Sequence, residues 1–165
     1  MAAQKKQLSL DANIAFDLSE AKESAFDFPE FLQSKGYALV LPPTAVHELH
    51  VFLTGGDGPA ERELAQTALT HLLQWGIRPF DLDATEEAIC EQFVRGLVSQ
   101  RLLPDDAFND GRILAETSLA KIPMLVTSDR RLLDIDEDAL LLAFNEADLA
   151  PVHPVHPKRL LGLLC

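Results

Sequence analysis

Short apolar runs alternate with longer stretches of helical periodicity along the whole chain. Gln7 to Leu10, Tyr37 to Leu41 and Met124 to Thr127 have the length of strands, and patterns with apolar residues at helical spacing stand between them. A strand apolar on both faces must be covered on both. Parallel neighbours also need a long crossover, which helices supply. The alternation therefore predicts an α/β fold, a three-layer α/β/α sandwich with a mostly parallel sheet of four to five strands. A chain of 165 residues fits one domain, and no repeat or long linker divides it, so residues 1–165 are expected to form a single domain.

Local signals place the other elements. Pro29 to Ser34 opens a helix that Gly36 stops, and Pro42 and Pro43 close the second strand. Thr44 is a fitting N-cap for a helix carrying Val46, Leu49, Val51 and Phe52, which the glycines at 55, 56 and 58 break. A helix from Pro59 to Trp75 follows, then a strand candidate from Ile77 to Leu82 that Pro79 weakens. Thr85 begins a helix with Ile89, Phe93 and Leu97 inward, ended by Pro104. Asp105 or Asp106 opens the next, with Ile113, Leu114 and Leu119 inward. The acidic stretch Asp134 to Asp138 starts a helix through Phe144, with Asp134 and Asp136 as cap and first-turn acids. An extended segment around Val152 to Val155 precedes a short helix from Pro157.

Cys90 lies in a helical pattern and Cys165 is the last residue, so no disulfide framework or paired-cysteine zinc spacing exists. No apolar stretch approaches the roughly 18 residues of a bilayer span, and Met1 to Lys6 lacks the apolar core of a signal peptide. These features predict a cytoplasmic protein with no membrane partner. Acidic residues number 26 against 14 basic ones, a net charge of -12 that repels phosphate backbones unless metal ions or local basic patches intervene. Part of that excess is explained if several acids cluster to hold cations; a basic protein partner or plain solubility is the alternative.

Four carboxylates fit such a cluster. Asp11 and Asp129 stand just after strand-like runs, and Glu48 and Asp110 lie inside apolar helical patterns. In a parallel sheet the carboxyl ends of strands and the adjoining helix starts face one crevice, so acids far apart in sequence can meet there. Each has a structural alternative. Asp11 could cap the following segment, Glu48 could be a solvated face residue, and Asp129 could belong to a turn. Val46, Leu49 and Phe52 place Glu48 near a buried side. Asp106, one turn before Asp110 on the same helical face, is its rival and an auxiliary ligand candidate.

Asp11-Ala12-Asn13 after the first strand, Thr44-Ala45-Val46-His47-Glu48-Leu49 after the second, Asp110-Gly111-Arg112-Ile113-Leu114-Ala115-Glu116 in a late helix and Leu125-Val126-Thr127-Ser128-Asp129 at a late strand together resemble the PIN-domain pattern. The resemblance runs from Gln7 to about His156. It implies a metal-dependent ribonuclease like the VapC-type toxins and RNA-processing nucleases. By the same likeness Asp11, Glu48, Asp110 and Asp129 would be catalytic and would hold one or two Mg2+ or Mn2+ ions, with Asn13 as an accessory beside Asp11. RNA, a small antitoxin protein and a second copy in a homodimer are the partners it implies. All four acidic positions are filled. The glycine-rich stretch from Leu53 to Pro59 and the Pro-His-Pro region near the C-terminus depart from the pattern, so partner surfaces do not carry over.

Hard divalent cations prefer oxygen ligands, and a bound cation lowers the pKa of an attacking water while offsetting charge on the phosphodiester. Close carboxylates without metal repel each other, so metal binding competes with protons. Activity lost with chelator and falling at low pH is the expected signature. Arg130 and Arg131 are candidates to hold the RNA backbone, with ordinary surface arginines as the alternative. Lys158, Arg159, His153 and His156 are expected at the surface. His47-Glu48-Leu49-His50 spaces its histidines three apart rather than the four of a zinc-peptidase helix. Gly55-Gly56-Asp57-Gly58 lacks the Lys and Ser/Thr of a phosphate loop. Two other functions fit the acids: a non-catalytic module that grips a basic peptide or nucleic acid, and a receiver-type phosphoryl-transfer domain. The latter wants an adjacent acidic pair at the first strand, which Asp11-Ala12-Asn13 does not supply.

Overall fold

The computed structural model describes residues 6–19, 23–55, 58–59, 63, 70, 74 and 76–164. The chain divides into two compact units, Met1–Phe80 and Asp81–Cys165. Five strands form one sheet in the order β3-β2-β1-β4-β5, and helices connect them, so the fold is α/β with parallel strand pairing, of the three-layer α/β/α class.

The first unit holds β1 (Lys6–Leu10), α1 (Ala12–Ser19), α2 (Glu23–Ser34), β2 (Tyr37–Leu41), α3 (Pro43–Gly55) and β3 (Ile77–Pro79). β1 runs parallel to β2 with Leu8 opposite Leu39, and β2 parallel to β3 with Leu39 opposite Ile77. Leu8, Leu10, Leu39, Leu41 and Ile77 are all but completely buried, each contributing about 1.5–3 kcal/mol by leaving water. β3 is shorter than the run to Leu82 suggested. Pro79 has no N–H for the ladder and sits where the strand ends, on an edge strand, after which Phe80 donates to the Leu41 carbonyl.

Two helix starts differ from expectation. α2 begins at Glu23 and carries Pro29 inside it, so the proline is an interior residue and not the opener. α3 begins at Pro43, which takes the first helical position where a missing N–H costs nothing, and Thr44 lies within the first turn. Along α3, Leu49 is buried while Val51 is exposed. The helix expected from Pro59 to Trp75 lies for the most part outside the described residues.

The second unit holds α4 (Ala84–Ser99), a 3-10 turn (Asp105–Ala107), α5 (Phe108–Leu119), β4 (Met124–Val126), α6 (Arg130–Leu133), α7 (Glu137–Glu146), β5 (His153–Val155) and α8 (Pro157–Leu164). α4 is capped by Asp83, not by Thr85. Its carboxylate accepts from the Glu86 N–H at 2.8 Å while Glu86 Oε1 accepts from the Asp83 N–H at 3.1 Å, a reciprocal capping box. The buried stripe is Cys90, Phe93, Val94 and Leu97, and Ile89 turns outward. Phe93 stacks on Phe144 of α7 with ring centroids 4.8 Å apart. α4 and α5 approach closely at Gly111, where an added Cβ would stand 2.7 Å from Val94 Cγ1 and 2.9 Å from Leu103 Cδ1. β4 pairs in parallel with β5, Leu125 opposite Pro154. Asp136 is the N-cap of α7, within the acidic stretch expected to start this helix, whereas Asp134 lies outside it as the C-cap of α6. Among the described residues no helix is long and apolar enough to cross a membrane.

Candidate functional site

In the first unit the end of β1 delivers Asp11. Its side chain is almost wholly buried and its oxygens are held from below, the Ala12 N–H donating to Oδ1 at 2.7 Å and Asn13 Nδ2 to Oδ2 at 3.4 Å. The start of α1 thus fixes the carboxylate, because an acid at a helix start meets free N–H groups and the positive end of the helix. Asn13, two residues on, is thus a direct hydrogen-bond neighbour of Asp11. Glu48 is half-buried on α3 beside the buried Leu49, with His47 and His50 both exposed.

The second unit gathers its acids on one guanidinium. Arg131 Nη2 donates to Asp110 Oδ2 at 2.8 Å and to Asp129 Oδ2 at 3.1 Å, its Nε donates to Asp129 Oδ1 at 3.2 Å, and Nη1 lies 3.6 Å from Asp106 Oδ1. The side chains of Asp110 and Asp129 are only 14% and 15% exposed, whereas Asp106 is 80% exposed. Asp110, not its rival one turn earlier, is therefore the inner partner of Asp129. Asp106 stands at the rim.

Asp129 is placed by three local features. Strand β4 ends just before Thr127, the buried Thr127 hydroxyl accepts the Asp129 N–H at 3.0 Å, and Asp129 Oδ1 caps the four-residue α6 by accepting the Arg131 N–H at 2.9 Å. Burial pushes the Asp129 carboxyl up, but the hydrogen bonds from the Arg131 side chain and backbone, helped by one shared with Asp110, outweigh it and hold the group below its ordinary value. The same acids raise the pKa of Arg131. Arg130 is exposed and takes no part in this cluster.

A second charged group lies between α4 and α5. Arg112 Nη2 donates to Glu87 Oε2 at 2.6 Å, and Glu116, one turn on from Arg112, is fully buried. Beside them the buried Cys90 thiol is pushed up to about 12, first by burial and then by Glu116 and Glu87, so it is not a nucleophile near neutral pH.

Among the described residues no group of three or more His, Cys, Asp or Glu side chains stands in a metal-holding arrangement. The Asp110–Asp129 pair is nevertheless chemically suited to a hard cation. Its oxygens are carboxylate oxygens, they converge, and a positive charge already lies on them. Nothing in Asp129-Arg130-Arg131 distinguishes an inward guanidinium from a surface one, so the Arg131 clamp was not legible before the structure. Thr127, two residues before an acid at a strand end, was the available signal for the turn that orients Asp129.

The fold is found in solved structures. It is similar to a chain of the crystal structure of VapBC2 from Rickettsia felis bound to a DNA fragment from their promoter, with TM-score 0.59 and 17% identity over 90% of this chain and 98% of that one. A chain of the crystal structure of FitAcB from Neisseria gonorrhoeae aligns with TM-score 0.48 and 20% identity over 88% of this chain and 96% of that one. The likeness to the Rickettsia chain is one of fold. No family model matches the sequence, and no curated protein does.

Proposed function

We propose that this chain is a metal-dependent endoribonuclease of the PIN-domain kind, hydrolysing RNA phosphodiester bonds with Mg2+ or Mn2+, and that it is the toxin of a toxin–antitoxin pair. The observation that carries the proposal is the Asp110–Asp129 pair, two largely buried carboxylates turned onto a single positive charge. Magnesium asks little more of a protein, since it binds through one or two carboxylates and leaves its other positions to water and substrate phosphate. Asp11 and Glu48 are proposed as the further ligands and Asp106 as an auxiliary one. The fold likeness to a VapBC2 chain supports an antitoxin protein as the partner.

A divalent cation, when bound, supplies an attacking water of lowered pKa and positive charge opposite the phosphodiester. The chain's own share is to hold oxygens still. The Ala12 N–H and Asn13 amide fix Asp11, and the Thr127 hydroxyl and Arg131 N–H fix Asp129, so little reorganisation remains when charge develops. Exposed Arg130, next to Asp129 in sequence, is proposed to meet the RNA backbone.

Incubating the pure protein with a mixed RNA pool tests this. Cleavage is expected with Mg2+ or Mn2+, none with chelator, and a drop on the order of 100-fold for Asp11→Asn and Asp129→Asn, the scale of losing one preorganised electrostatic group. Equal cutting by wild type and variants would remove the catalytic reading. The clamp also favours a second reading, in which the acids grip an arginine of a basic peptide partner without cleaving anything. Peptide binding by a protein that shows no metal-dependent cleavage would decide for it.

A further inference from the structure

We propose that Arg131 is a resident counter-cation, a positioning residue that holds Asp110 and Asp129 together until a divalent ion displaces its guanidinium. The inference rests on the reading of that pair as a cation site. Two neighbouring carboxylates that are mostly shielded from water repel each other unless a positive charge stands between them. Arg131 supplies it, with one nitrogen, Nη2, bridging Asp110 Oδ2 at 2.8 Å and Asp129 Oδ2 at 3.1 Å.

Two features make the arginine a removable occupant. Its side chain is 42% exposed, against 14% and 15% for the acids it bridges, so it lies on their solvent side and has an open way out. Asp129 also has a second anchor, since the Arg131 backbone N–H donates to Oδ1 at 2.9 Å and the Thr127 hydroxyl fixes the Asp129 backbone at 3.0 Å. Neither bond depends on the guanidinium. The carboxylate therefore keeps its orientation when the side chain leaves, and the oxygens vacated are the ones a hard cation needs.

A counter-cation and a purely structural arginine have opposite effects on metal affinity. Removing a competitor tightens binding; removing a support loosens it. Calorimetric titration of Mn2+ into the full-length protein is expected to give a dissociation constant about tenfold lower for Arg131→Met than for wild type, as removal of one nearby positive charge implies. Arg131→Lys, which keeps the charge, should stay near wild type, and Arg95→Met, which removes a charge from an exposed i,i+4 pair elsewhere, should change nothing. Equal or weaker Mn2+ binding by Arg131→Met overturns the proposal.

A measurement on the unaltered protein covers the case in which Arg131→Met does not fold. The guanidinium nitrogen resonances of Arg131 should shift from ion-paired to solvent-like positions as Mg2+ saturates. Resonances that stay fixed while Mg2+ binds overturn the displacement and leave the cation site standing. No binding of either ion at millimolar concentration by wild type would remove the cation site and this inference with it.

Discussion

Asp129 does two jobs at once. Its Oδ1 caps α6 and both oxygens face Arg131, so its carboxyl lies below the ordinary value of 3.8. A carboxyl depressed on folding adds stability above the unfolded value, and that stability is lost as pH falls through the folded one. Asp129→Ala should therefore cost about 1 kcal/mol in urea melts at pH 7, the size of a lost cap, with the deficit shrinking as pH drops below 3.8. A deficit equal at pH 7 and pH 3 would contradict the assigned charge pairing. Cys90 makes the opposite case, a thiol raised by burial. Iodoacetamide at pH 8 should leave the Cys90 peptide unmodified in native protein and alkylate it in guanidinium, as peptide mass spectrometry would show. Some of this was legible in the chain. The placing of Asp11 follows from its position after a strand, whereas Asn13 and the choice of Asp110 over Asp106, which share one helical face, came only with the PIN-domain resemblance. The inward turn of Arg131 follows from neither, because one helical turn after a strand end carries no periodicity to reveal which way a side chain points.

At the scale of elements, β2 runs over the residues its apolar run marks, because five apolar residues closed by two prolines admit few alternatives. α1 and α6 left no comparable trace, being only eight and four residues long and so too short for a 3.6-residue period to show. On α4 Phe93 and Leu97 face inward as expected, but the stripe is rotated away from Ile89 toward Cys90 and Val94. Cys90, Phe93, Val94 and Leu97 make a complete i, i+3, i+4, i+7 face that leaves Ile89 at its edge. What fixes that rotation is contact with α5 at Gly111, a tertiary fact the periodicity of one helix does not contain. Gly111→Ala tests it. Alanine is the better helix former by about 1 kcal/mol, yet its Cβ would press on stiff Val94, and overpacking of this kind costs about 1–3 kcal/mol. The expected result is a net loss of stability in urea, accompanied by weaker Mn2+ binding because Asp110 is the preceding residue. A stabilised variant would show that the two helices have room to part.

For the molecule as a whole, alternating short apolar runs and helical stretches foretold the α/β class, and a parallel five-stranded sheet realises it. The shared fold with a VapBC2 chain at 17% identity shows how little sequence is needed to specify that pattern. Charge works at this scale too. A net charge of -12 disfavours RNA unless cations intervene, so a cation site would supply both the chemistry and the tolerance for a polyanion. Everything functional in this account depends on Asp110 and Asp129 accepting a divalent ion. Anomalous diffraction from a manganese-soaked crystal measures that directly. A manganese peak coordinated by both carboxylates is expected, with the Arg131 guanidinium moved away from them; a map with no manganese there, and Arg131 still bridging the pair, would rule out the cation site.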